Sequence, residues 1–230
     1  MEKEADQERL LTEFLTPTAI IDSDHAAIID FAQKSTTGIS KPKDRAIHLY
    51  YRVRDGVRYD PYDIDLSVPG LQASQTLKSG RGWCVPKAIL LTAGCRALGI
   101  PARLGFADVR NHLSTARMRR WMQTDIFFWH GYTAIYLDHK WIKATPAFNI
   151  QLCERFKLKP LEFDGCNDSI YHPFDQLGNK HMEYVRHRGE MADVPLDEIR
   201  NTFERYYSAR LLSMEADFEQ DVNFEQPDDR

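Results

Sequence analysis

Apolar and polar positions divide the 230-residue chain into a helical front, a mixed centre and a polar end. Residues 8–66 read as helical with breaks, and Thr16-Pro17-Thr18 is a loop. Asp22 or Ser23 is placed to cap a helix running to about Lys34, with Ala26, Ile29 and Phe31-Ala32 on its apolar side. From Lys43 to Asp55, Ala46, Leu49, Tyr50 and Val53 recur at spacings of three and four, the period of a helix. Tyr59 to Pro69-Gly70 reads as loop. A further helix begins near Cys84, carries Pro86 in its first turn and runs through Leu98. Gly99 supplies the residue past its end, and Pro101 follows the stop. Positions 84, 88, 91, 95 and 98 fall on one face of that helix.

Residues 126–137, rich in aromatic and β-branched side chains, predict a strand. Asp138-His139-Lys140 is a turn, and Trp141 to Ala147 is a second strand. His130, Tyr132, Ala134 and Tyr136 share one face of the first strand. A two-residue turn at 138–139 sets Tyr136 opposite Trp141 and Tyr132 opposite Thr145, so that Thr145 lies diagonally from His130 on the same face. A four-residue turn keeps both on that face, and a three-residue turn separates them unless a bulge intervenes. After Pro195, Leu196, Ile199, Phe203, Tyr206, Tyr207 and Leu211 form an apolar stripe. A helix over 196–214 therefore docks on the core or makes an oligomer contact.

Composition changes this picture little. Hydrophobic residues make up 43% and charged residues 28%, which excludes a disordered chain, a collagen or a coiled-coil rod. The length suits one domain with extensions, residues 1–66 being its helical front and 67–195 its core. Mean hydropathy is −0.50, and no apolar run reaches the roughly 18 residues of a membrane span. The acidic first residues lack the apolar stretch of a signal peptide, so a cytoplasmic protein is expected. Charge matters more. The net charge is −4, but residues 215–230 hold seven acids and one base, which leaves the body near neutral at +2. A nucleic-acid footprint is absent from that body. The end reads as an acidic flexible tail on which Phe218 and Phe224 could dock locally. Arg110, Arg117, Arg119 and Arg120 cluster in 110–121, as a solvated face, a contact for an acidic substrate group or a lid.

Cys84, Cys95, Cys153 and Cys166 are spaced by 11, 58 and 13 residues, which matches neither a zinc ribbon nor a disulfide scaffold. Reduced thiols are expected, and one could be a nucleophile. Cys84 is the candidate. A helix N-terminus presents unpaired N–H dipoles worth about half a positive charge, which favours thiolate and can hold an oxyanion beside the sulfur. Cys95, mid-helix on the apolar stripe, is expected to be inert. His130 is the candidate base, against the alternative of a half-buried strand histidine among aromatics. His25 and His48 lie on helices, His112 in a polar loop and His139 in a turn. Cys166, His172 and His181 could in principle hold zinc, but their spacing matches no standard pattern.

Gly82-Trp83-Cys84-Val85-Pro86-Lys87-Ala88, continuing to Gly99-Ile100-Pro101-Ala102-Arg103, resembles the nucleophile segment of the transglutaminase-like superfamily. Trp129-His130-Gly131-Tyr132-Thr133 to Trp141 resembles its histidine strand and hairpin. The resemblance covers roughly 70–150. Residues 107–112, 145–149 and 163–165 are similar to a bacterial stand-alone subgroup. It implies an α+β, papain-like fold with the nucleophile helix packed on an antiparallel sheet. It also implies thiol acyl transfer on an amide, with Cys84 as nucleophile and His130 as base. The backbone N–H of Cys84 would be the first oxyanion donor and Gln75 a second, while Trp83 would cover the site or simply pack. The chain departs from the family at the third position: Thr145 stands before Pro146 where Asp is usual. Threonine can orient an imidazole but lacks the charge, whose loss with the wrong tautomer costs a serine protease about 10⁴ in rate. A thiolate–imidazolium pair depends less on it, and Asp108, Asp164, Asp168 or Asn149 could substitute.

The function expected is therefore cysteine-dependent acyl transfer on a peptide, protein or small-amide substrate, leaning to peptidase or amidase hydrolysis over amine transfer. No organic cofactor, metal, nucleic acid or membrane is implied. No calcium-loop pattern occurs in the sequence. The alternatives are a catalytically impaired binding or scaffold protein, because of Thr145, and a zinc protein using 166–187.

Overall fold

The computed structural model describes residues 11–111, 114–170, 176–178, 182–208 and 216–225. His112, His172, His181 and Leu211, and with them two of the three possible zinc ligands, lie outside that set. The front of the chain forms α1 (Ala26–Ser35) and α2 (Pro42–Gly56). The cap of α1 is His25, whose Nδ1 accepts from Ala27 N, rather than Asp22 or Ser23. Asp22 is instead buried and accepts from Ser74 N. The stretch expected as loop contains β1 (Arg58–Tyr59) and α3 (Val68–Leu71), followed by α4 (Ala73–Ser79) and β2 (Arg81–Gly82). Strands β1 and β2 pair in parallel.

Next comes α5 (Cys84–Ala97), which packs against α1, α2 and α4 on one side and the main sheet on the other. It ends as predicted. Gly99 takes φ +71°, Gly99 N donates to Arg96 O and Ile100 N to Cys95 O. The one-sided apolar stripe understates its burial, because every residue from Cys84 to Arg96 is buried. The polar ones are satisfied internally. Lys87 Nζ donates to Arg54 O and Val57 O at 2.9 and 2.5 Å, and Arg96 donates to the carbonyls of Thr16, Ala102 and Ala192. Thr92 donates to Thr133, which in turn donates to Ala88 O. Unmade bonds at these groups would cost far more than made ones contribute.

The sheet is antiparallel, with β5 (Lys140–Ala144), β4 (Ile126–Leu137), β3 (Ala102–Asn111) and β6 (Met182–Met191) in that spatial order. The β4–β5 hairpin has the two-residue turn, with Tyr136 opposite Trp141. Asp138 and His139 both take positive φ, 46° and 65°, the mirror-image geometry that suits the strand twist. Strand β5 stops at Ala144, three residues short of the expected end, and Thr145 N turns to Ser169 O. The remaining helices are α6 (Ala116–Met122), α7 (Ile150–Arg155), α8 (Leu196–Tyr206) and α9 (Phe218–Glu225). Ile199, Phe203 and Tyr207 dock on the core, while Tyr206 is exposed. Residues 218–225 form a docked helix where acidity predicted solvated chain. Phe218 and Val222 are buried and Phe224 is exposed.

Burial holds the Lys87 ammonium down to about 7 from 10.5. Between those values the unfolded chain binds a proton that the folded chain does not, so this lysine makes stability rise with pH across that window. The stability difference between wild type and Lys87→Met, from urea titrations at pH 6 to 9.5, should stay level below pH 7. Above it the difference should grow in favour of wild type by at most about 1.4 kcal/mol per pH unit. A difference that stays level throughout would show that Lys87 is charged in the fold.

Candidate active site

Parallel pairing of β1 and β2 delivers the chain to the start of α5. Arg58 N donates to Gly80 O and Asp60 N to Gly82 O. Trp83 then takes extended geometry, and Cys84 is the first helical residue. Opposite it lies Gly131 on β4. A Cβ there would stand 3.0 Å from Val85 Cγ2 and 3.1 Å from Val85 Cα, so the lack of a side chain lets the first turn of α5 touch the strand. The backbone N–H groups of Gly131, Val85 and Cys84 itself lie beside the sulfur and favour its thiolate.

Cys84 is 7% exposed and His130 5%. Both line one narrow cavity of about 30 Å³, whose other walls are almost wholly apolar. Met118 and Met122 enter it from α6, Phe203 and Tyr207 from α8 and its end, Tyr59 from β1, Pro61 from the loop after it, and Trp83 from beside the cysteine. His130 also lines a second cavity, of about 20 Å³, together with Thr145 and Cys153. The fold thus sets His130 between Cys84 and Thr145. Thr145 is held through its backbone, N–H to Ser169 O at 2.8 Å and carbonyl accepting from Tyr50 Oη at 3.2 Å. Its buried hydroxyl makes no hydrogen bond among the described residues, so the expected hydroxyl–imidazole bond is not formed. Gln75 is exposed on α4 and lines a cavity that Trp83 also lines but Cys84 and His130 do not.

The possible substitutes for an acidic third residue have other partners. Asn149 Oδ1 accepts from Tyr59 N, Asp168 Oδ1 from Lys143 N, and Asp164 from the N–H groups of Cys166 and Asn167. Asp108 has a role that sequence reasoning missed. Between the pairs Ala107↔His130 and Val109↔Phe127, β4 has two residues, Phe128 and Trp129, against one on β3. Trp129 takes up this bulge at φ +60°, a costly conformation for a bulky residue. Buried Asp108 stabilises it, accepting from Trp129 N at 3.1 Å and Arg188 Nε at 2.6 Å. The Arg188 guanidinium lies 4.3 Å from the centre of the Trp129 ring, and Trp129 Nε1 donates to Thr202. This unit immediately precedes His130. No local signal gave it away, since a bulge depends on the partner strand.

Electrostatics overturn one expectation. The helix N-terminus is expected to lower the Cys84 thiol, yet burial pushes it up to about 11, against the opposing pull of the backbone N–H groups beside the sulfur. The aromatic and methionine walls remove water, and desolvation of a thiolate outweighs N–H dipoles worth about 1 kcal/mol. The site at rest holds a protonated thiol.

Cys84 at a helix start and His130 on a strand thus share one cavity on an α+β scaffold. The model of the transglutaminase-like superfamily matches residues 29–146, half of the chain, and the chain belongs to that superfamily. Membership supports cysteine-based catalysis in general. A structure from Cytophaga hutchinsonii, provisionally described as a cysteine protease, is 22% identical with a TM-score of 0.46. The match covers 59% of this chain and 41% of that one. A second, from Parabacteroides distasonis and provisionally described as a protease, is 18% identical with a TM-score of 0.37, covering 52% of this chain and 23% of that one. The chain therefore spans less than half the length of either. No curated protein matches it. Among the described residues, no helix is long and apolar enough to cross a membrane, and no three His, Cys, Asp or Glu side chains converge as a metal site.

Two outcomes follow from this geometry. In a Cys166→Ser background, which removes the exposed thiol, iodoacetamide should alkylate Cys84 with a pH midpoint near 11 and more slowly at pH 7.5 than it does a free cysteine. A midpoint below 8 would mean the thiolate is stabilised at rest. Asp108→Ala should cost about 3 kcal/mol in urea unfolding, because it strands the largely enclosed Arg188 and frees the bulge. Asp108→Asn, which keeps an acceptor for Trp129 N, should cost less. Equal losses would point to charge alone.

Proposed function

We propose that the chain is a cysteine amidase or peptidase that works through a thioester. The observation that carries this reading is the shared cavity of Cys84, at the start of α5, and His130. Since the resting thiol is protonated, attack is coupled to proton transfer. His130 takes the Cys84 proton as sulfur adds to the amide carbonyl carbon. The carbonyl oxygen becomes an oxyanion, for which the N–H groups that now face the sulfur are the nearest donors. Collapse expels the amine, which leaves with the proton held by His130, and the acyl group stays on sulfur. Water then attacks the thioester, gives its proton to His130, and releases the acid and the thiol. Transfer to an amine would need a second recognised substrate, so hydrolysis is favoured. Thr145 is assigned the orienting position, since it lines a cavity that His130 also lines. Trp83 is assigned to cover the site. The four free thiols support a reducing, cytoplasmic setting.

A binding protein that has lost catalysis is the second reading. The raised thiol and the unbonded Thr145 hydroxyl favour it. Activated p-nitrophenyl esters followed by a library of peptide amides separate the two. Wild type should give a burst of p-nitrophenol and an acyl adduct on Cys84 by mass spectrometry. Cys84→Ala should abolish both, and His130→Ala should lower the rate by about 10²–10⁴. Thr145→Val should lower it less than His130→Ala. A chain that forms no adduct even with α9 released by Phe218→Ala/Asp221→Ala, or one that forms it equally fast without His130, decides for the binding protein.

A further inference from the structure

A cavity of about 30 Å³ admits no amide substrate, so the wall over Cys84 must open. Met118 and Met122 of α6 form part of that wall, and α6 is clipped in place by α9. Arg117 donates to both carboxylate oxygens of Asp221, at 2.6 and 3.2 Å. Ala116 N donates to the Glu225 carboxylate at 2.8 and 3.0 Å. Tyr62 Oη, 2.5 Å from the Thr115 hydroxyl that caps α6, donates to Asp221 Oδ2 at 2.7 Å. Glu219 pairs with Arg58 at 3.3 Å, and Asn223 accepts from Arg155 at 2.5 Å.

At the head of α9, Phe218 is buried edge-on against Tyr59 and Tyr62, with ring centres 6.0 and 5.3 Å away. Its ring lines a small apolar cavity that shares four wall residues, Tyr59, Pro61, Met118 and Phe127, with the Cys84–His130 cavity. An apolar, partly aromatic pocket beside a cysteine, with Arg58 and Arg117 pairing with the acids next to the buried ring, is the chemistry of a groove for an acidic peptide with an aromatic anchor. The chain's own acidic end lies in it.

We propose that Phe218–Glu225 occupies the substrate groove of this enzyme as an internal mimic. The substrate class is then an acidic peptide with an aromatic residue near the cleaved amide, and α9 must leave before such a peptide can bind. This rests on the function proposed above, but its first readout needs only the thiol of Cys84 and no catalysis.

The test uses the full chain in the Cys166→Ser background, with and without Phe218→Ala/Asp221→Ala. The two substitutions remove the buried ring and the charge clamp, and iodoacetamide alkylation of Cys84 at pH 7.5 should rise by about tenfold as the open population grows. A synthetic peptide of residues 216–225 should bind the variant, by fluorescence anisotropy, more tightly than the intact protein. It should also restore slow alkylation, whereas the same peptide with Phe218→Ala should do neither. An unchanged alkylation rate in a folded variant, or a peptide that neither binds nor protects, would overturn the proposal. If the double variant loses its circular dichroism, charge reversal decides. Arg117→Glu should speed alkylation, and adding Asp221→Arg should slow it again; two fast variants would also overturn the proposal. Gated alkylation without ester or amide hydrolysis would leave the groove assignment standing and remove the catalytic reading.

Discussion

The close approach of the first turn of α5 to Gly131 is the contact on which the rest of the structure depends. It is possible because residue 131 has no side chain and because α5 is apolar or internally satisfied on every side. A helix that must be wrapped all round needs α1, α2 and α4 behind it and a sheet in front, and that requirement is the fold. The same contact brings Cys84 to the strand that carries His130. One point of packing thus serves both the fold and the meeting of the two candidate residues.

Around that point the chain uses backbone geometry to position and side chains to enclose. The Trp129 bulge sits directly before His130 and is held by a buried carboxylate and a stacked guanidinium. Such strain persists only where surrounding contacts over-determine it, and it gathers near functional residues. Enclosure has an electrostatic price: the walls that shut out water also hold the thiol protonated. An enzyme built this way would activate its nucleophile on opening or on substrate arrival rather than at rest.

The polar end of the chain shows how charge can act as structure. Seven acids in sixteen residues repel one another in isolation. Spread along α9, three of them meet a partner on the body: Arg58, the Ala116 N–H, and the pair Arg117 and Tyr62. The arginine-rich stretch expected as a solvated face supplies one of these, Arg117, while Met118 and Met122 on the same helix turn inward over the cysteine.

Much of this was legible in the residues themselves. Pro86 and Gly99 mark the start and end of α5, Asp138-His139 makes the two-residue turn, and period two along 126–137 identifies β4. Each depends on local φ/ψ preference, which a few consecutive residues carry. The cysteine at a helix start and the histidine on a strand are legible for the same reason. Tertiary structure alone decided the direction of the Cys84 shift, the bulge opposite Asp108, the unbonded Thr145 hydroxyl, the absence of Gln75 from the Cys84–His130 cavity and the docking of α9. Desolvation and ion pairing are set by whichever distant segment packs alongside, and no local pattern encodes that neighbour.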